Sequence, residues 1–132
     1  MKRLLPYFLF AGSVFADETV DLHPYSDGGR TVLSYPVLRA KYMAQPSWVA
    51  GEGPVPLPQE AACKAAIKWM KAKYPQENLW VCQVFLSGDV IEKHKWHYII
   101  TFRGFPRSLE FGKDITDVVV LFDGSVVEPV NP

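Results

Sequence analysis

The sequence predicts an α+β fold: one helix packed on a four-stranded antiparallel sheet, in the order helix, strand, strand, strand, strand. Three observations predict it. Residues 59–74 carry apolar side chains at helical spacing, residues 95–103 alternate between apolar and polar, and residues 115–128 read as a closing hairpin around Asp123-Gly124. A helix with one apolar stripe needs a surface, and an antiparallel sheet with one apolar face supplies it.

At the start of the chain, Lys2 and Arg3 precede an apolar run over residues 4–11, and Val14 and Ala16 stand at the −3 and −1 positions of a cleavage site. This predicts a cleavable signal peptide over residues 1–16; the run is shorter than the ~20 apolar residues that span a bilayer. Phe10-Ala11-Gly12-Ser13 has the shape of a lipoprotein cleavage box with Ser13 in place of the lipid-bearing Cys. The expectation is a secreted or periplasmic protein with no membrane anchor after cleavage. Taking Lys2 and Arg3 from the 14 basic residues leaves two fewer than the 14 acidic ones, a net charge of −2. Nucleic-acid binders show a basic excess, so that class is not expected. The remaining residues, about 116, suit a single modest core.

The elements follow in order. Residues 17–57 read as an irregular N-terminal extension and linker, polar up to a turn at Asp27-Gly28-Gly29. Residues 31–44 hold Val32, Leu33, Tyr35, Val37, Leu38, Tyr42 and Met43 around Pro36, with edge strand and short helix both open. Residues 46–58 contain Pro46, Gly51, Gly53, Pro54, Pro56 and Pro58, an extended linker pinned by Trp48 and Val49. The domain proper spans 58–132. Its helix begins after Pro58 and stops at Pro75; Cys63, Ile67, Met70 and Tyr74 form the stripe, flanked by Ala62, Ala66 and Trp69, with Lys64, Lys68, Lys71 and Lys73 on the wet side. In the first strand, 79–86, Trp80, Cys82, Val84 and Leu86 share the inner face. In the second, Trp96, Tyr98, Ile100 and Phe102 face inward; Lys95, His97, Thr101 and Arg103 face solvent, and Ile99 breaks the alternation. The third strand covers 115–122, with Asp117 on its solvent face. The fourth is short, 125–128, ended by Pro129.

The even cysteine count in an oxidising compartment, with Cys63 on the helix stripe and Cys82 on the inner strand face, predicts a disulfide. Such a bridge would close a loop of about 20 residues, a stabilisation of roughly 3 kcal/mol in the chain-entropy view. No metal or cofactor site is expected. His94 and His97 lie three apart on a strand, which sends them to opposite faces, and zinc wants three or four placed ligands. No catalytic residue is expected either. Cys63 lies on an apolar stripe, not in the electropositive setting that makes a thiol reactive, and Asp123 is explained by its turn. Trp48, a large aromatic in a linker, is the candidate surface-binding residue.

Three features carry a family resemblance: the lysine-spotted helix ending Tyr74-Pro75, the aromatic strand Trp96-His97-Tyr98-Ile99-Ile100, and the closing hairpin from Val118 to Val127 with its Asp- and Gly-containing turn. Over residues 58–129 the chain resembles PepSY-type domains of exported bacterial proteins and, more loosely, the cystatin-like helix-on-sheet architecture. The resemblance implies a peptidase-related role, or none defined, and no catalytic residue to carry over. Gln83-Val84-Phe85-Leu86-Ser87-Gly88 departs from the cystatin inhibitory loop Gln-x-Val-x-Gly, with Phe85 in place of Val and Gly88 one residue late. The functional expectation is an exported, non-enzymatic binding or interaction module that meets a protein or peptide at an exposed strand edge or near Trp48. Two alternatives stay open: a small-molecule-binding or enzymatic cone-shaped α+β domain, and a passive envelope protein.

Overall fold

The computed structural model describes residues 18–27, 30–88, 91–106, 109 and 114–131. The expected signal peptide at 1–16, Gly28-Gly29, Asp89 and most of the loop after residue 106 lie outside them. In chain order the elements are strands β1 (Thr19–Asp21), β2 (Tyr25–Asp27), β3 (Arg30–Leu33) and β4 (Pro36–Leu38), then the short helix α1 (Arg39–Met43) and the main helix α2 (Gln59–Lys73). Strands β5 (Asn78–Gly88), β6 (Trp96–Phe105), β7 (Asp117–Leu121) and β8 (Val126–Val127) follow. They form one antiparallel sheet in the order β5-β6-β7-β8, while β1 pairs with β4 and β2 with β3 in two small ribbons. The helix-on-sheet architecture read from the sequence is the architecture observed.

Helix α2 starts after an extended Pro58, whose carbonyl accepts from the Ala62 amide at 3.1 Å, and ends where Pro75 would break it. Ala62, Ala66 and Met70 are fully buried against Tyr98, Ile100, Phe102, Val118, Val120 and Phe122. The centre of the stripe therefore sits on the two alanines. Cys63, Ile67, Trp69 and Tyr74 flank it, half-buried. Small side chains on the helix let its axis approach a sheet whose own residues are large, and the two surfaces interlock at interior density. Tyr74 fastens the helix end, its hydroxyl accepting from the Ile115 amide at 2.7 Å.

A β-bulge at Cys82 changes the face assignments of β5. Val81 pairs with Phe102 and Gln83 with Thr101, so Cys82 is the unpaired extra residue. One extra residue reverses the side-chain parity that precedes it. Leu79 and Val81 consequently join Val84 and Leu86 under the helix, whereas Trp80 is 48% exposed and Cys82 is exposed. This corrects the inner face expected from strict alternation.

The second face of the sheet is covered too. Residues 18–24 and 33–45 form a strap across it, packing Leu22, Tyr35, Val37 and Tyr42 on Ile99, Val119, Leu121 and Val127. All five residues of β7 are buried, and β6 is buried from His97 to Ile100. Ile99, which breaks a one-sided pattern, is thus a core residue of the other side. Ser34 and Val130 exchange backbone hydrogen bonds at 2.9 Å, tying the strap to the C-terminal segment.

Candidate functional site

Strand β5 is an outer strand: among the described residues β6 is its one strand partner. Natural outer strands usually carry charges, prolines or bulges that discourage a further strand. None of the residues of β5, Asn-Leu-Trp-Val-Cys-Gln-Val-Phe-Leu-Ser-Gly, is charged or Pro, and its bulge lies at Cys82, leaving Gln83 to Gly88 as a regular run. Phe85, on the face away from α2, is 54% exposed. At the end of the run, the Trp96 ring lies over the backbone of Gly88 so closely that any Cβ there would overlap it.

Beside this edge, on the α2 side, is an open cleft of about 420 Å³ lined by Pro54, Val55, Pro58, Gln59, Val84, Leu86 and Tyr98. The Pro/Gly linker forms one wall because three contacts hold it down. The Tyr98 hydroxyl donates to the Leu57 carbonyl at 2.7 Å, the Trp96 indole donates to the Trp48 carbonyl at 2.8 Å, and the Trp48 amide donates to the His94 carbonyl at 2.9 Å. Trp48 itself is half-buried, its ring meeting Trp96 edge-on at 5.3 Å and its indole donating to the Gly53 carbonyl at 3.3 Å. The residue singled out for surface binding is therefore the staple that builds the cleft wall. Burial raises the pKa of the Tyr98 phenol and of the nearby Cys63 thiol, so both stay protonated near neutral pH.

The expected disulfide is absent. Cys63 and Cys82 are both free thiols, because the bulge turns Cys82 out of the face that meets α2. Two further expectations are corrected on the strap side. Asp117 is 3% exposed rather than solvated, with Oδ2 2.8 Å from His23 Nε2 and its backbone carbonyl accepting from the Tyr35 hydroxyl at 2.6 Å. His97 is 1% exposed, and its Nδ1 lies 3.1 Å from the Tyr42 hydroxyl. Its pKa falls to about 4, chiefly because burial penalises the cation; the Leu22 backbone opposes this and His23 adds to it. Gln45 makes a reciprocal pair with the closing turn. Its amide nitrogen donates to Asp123 Oδ2 at 3.1 Å and its oxygen accepts from the Asp123 amide at 2.9 Å.

Sequence reasoning missed this set of His23, Tyr35, Tyr42, Gln45, His97 and Asp117. A signal was present: the unbroken apolar run from Val118 to Phe122, together with Ile99, marks strands buried on both faces, and a second buried face requires a second cover. Among the described residues no group of three His, Cys, Asp or Glu side chains could hold a metal ion, and no helix is long and apolar enough to cross a membrane. The site defines an α+β helix-on-sheet domain with one apolar outer edge. A scan of protein-family models matches none, and searches of curated proteins and of solved structures return no match.

Proposed function

We propose that this is an exported, non-enzymatic binding module that takes an extended protein or peptide segment as an added strand along Gln83 to Gly88. The supporting observation is the coincidence of an uncharged outer strand with an apolar cleft lined by its own alternate side chains, Val84 and Leu86. An added strand gains main-chain hydrogen bonds from the edge, and every second side chain enters the cleft against Val55 and Pro58. The opposite side chains meet Phe85. Export rests on the basic, apolar and small-residue order of residues 1–16, and a peptidase-related role rests on the PepSY resemblance of residues 58–129. A small-molecule site would bring several polar groups together; of the cleft's side chains only Gln59 and Tyr98 are polar, and the Tyr98 hydroxyl is already engaged.

The test is a screen of the full chain against a library of extended decapeptides, followed by amide exchange on each hit. Bound peptides should protect amides within Gln83 to Gly88 and should lose binding at least tenfold in Leu86→Lys. Hits that protect other segments, or a library with no hit, would refute the reading.

A further inference from the structure

The strap is bolted to the sheet by polar contacts near its two ends. One end holds the His23–Asp117 pair at 2.8 Å and the Tyr35 hydroxyl on the Asp117 carbonyl. The other holds Tyr42, whose hydroxyl meets His97 Nδ1 at 3.1 Å and donates to the Lys95 carbonyl at 3.3 Å. Between them Leu22, Tyr35 and Val37 pack on Ile99, Val119, Leu121 and Val127, and Ser34 pairs with Val130. The two bolts differ in what their histidines face. His23 faces the Asp117 carboxylate. Protonated His97 gains no carboxylate; the Leu22 backbone favours its cation, and burial outweighs that.

We propose that residues 18–24 and 33–45 are an acid-released cover: a proton on His97 unfastens the Tyr42 end of the strap from the sheet while His23–Asp117 retains the other end.

The groups facing His97 from each element make this specific. Helix α1 presents Tyr42; the turn after β1 presents the Leu22 backbone and His23, a like charge when protonated. Across β7 its partner is Leu121. Asp117 pairs instead with Thr101, about 13 Å further along the sheet at strand rise. On its own strand Lys95 adds positive charge, and its ammonium is held by the Gln45 carbonyl. Through Gln45 the same end reaches Asp123, whose carboxylate is already occupied by Gln45 and Ser125. A cation at His97 therefore meets positive neighbours and apolar walls, which the Leu22 backbone offsets only in part, and opening hydrates it. The closed-state pKa, about 4, lies below the ordinary 6.5 that an opened strap restores. The closed form accordingly loses stability as pH falls below 6.5, and the loss is complete below about 4. Opening would uncover the apolar face of Ile99, Val119 and Leu121, a second surface distinct from the β5 edge.

Amide exchange of the full chain, corrected for intrinsic rates, tests this between pH 7 and pH 4. The amides of Arg39, Ala44 and Gln45 should lose about a hundredfold in protection, the factor set by the two pKa values. Those of Tyr74 and the α2 interior should hold, and the His97→Gln variant, which keeps a partner for Tyr42 but cannot titrate, should show no such loss. Equal loss in His97→Gln, or simultaneous loss across α2, would overturn the proposal. Should His97→Gln fail to fold, NMR titration of His97 in the unaltered chain decides: titration well below 6.5 supports it, and titration at 6.5 or above overturns it.

Discussion

The two faces of the central sheet are covered in different ways. Beneath α2 the centre of the contact is apolar, made by a 15-residue helix with alanines at its middle. Beneath the strap, the cover is a chain of three- and four-residue strands and one short helix, and histidine, aspartate, glutamine and tyrosine side chains are buried or half-buried with the apolar ones. A long helix excludes water by area alone. A thin strap buries less, so specific hydrogen bonds fix its position, and each buried polar group makes that position costly to lose. The first face supplies stability; the second can respond to conditions.

The largest expected effect is on the α2 face. Phe102→Ala removes a ring that is 1% exposed and should cost about 3–5 kcal/mol by denaturant unfolding. Loss of much less would show that the helix does not pack there. On the strap face, Leu121→Ala should cost about 2–3 kcal/mol, less than a rigid site would, because the strap can settle into the space. Tyr35→Phe deletes the hydroxyl on the Asp117 carbonyl and should cost about 1–2 kcal/mol. An unchanged melting temperature would break the view that polar bolts hold this cover. The smallest effect concerns Asp123. Burial pushes its carboxyl upward, but hydrogen bonds from Ser125 and Gln45 and the charge of Lys41 outweigh that and lower its pKa. Its contribution is present above the ordinary carboxylate range and fades as pH falls through the lowered value. Gln45→Ala should shift its NMR titration upward and leave the fold intact.

The α2 face was legible because helical period and strand alternation each point one way, as at Met70, Tyr98 and Phe102. The strap face was not. Its cover has no period, being assembled from short pairs around Pro36, and its buried His97 and Asp117 look like solvent-facing residues in an alternating strand. The cysteines failed for a separate reason. A single-residue bulge has no composition signature in Trp80-Val81-Cys82-Gln83, yet it exchanges Trp80 and Cys82 for Leu79 and Val81 on the inner face. Alkylation without reductant should therefore label both thiols in denaturant, and Cys82 well before Cys63 in the folded chain. A protein that alkylates only after reduction would contradict the bulge. The β5 edge was anticipated only as an exposed strand edge, since the cleft depends on where the linker folds back through Trp48 and Leu57.

Methyl NOE spectroscopy of the valines and leucines of β7 tests most directly whether the sheet has two covered faces. Val118 and Val120 should show contacts to Ala66 or Met70, while Val119 and Leu121 show contacts to Leu22, Tyr35, Val37 or Tyr42. Val119 and Leu121 methyls that lack those contacts and relax strongly with a soluble paramagnetic agent at neutral pH would contradict it.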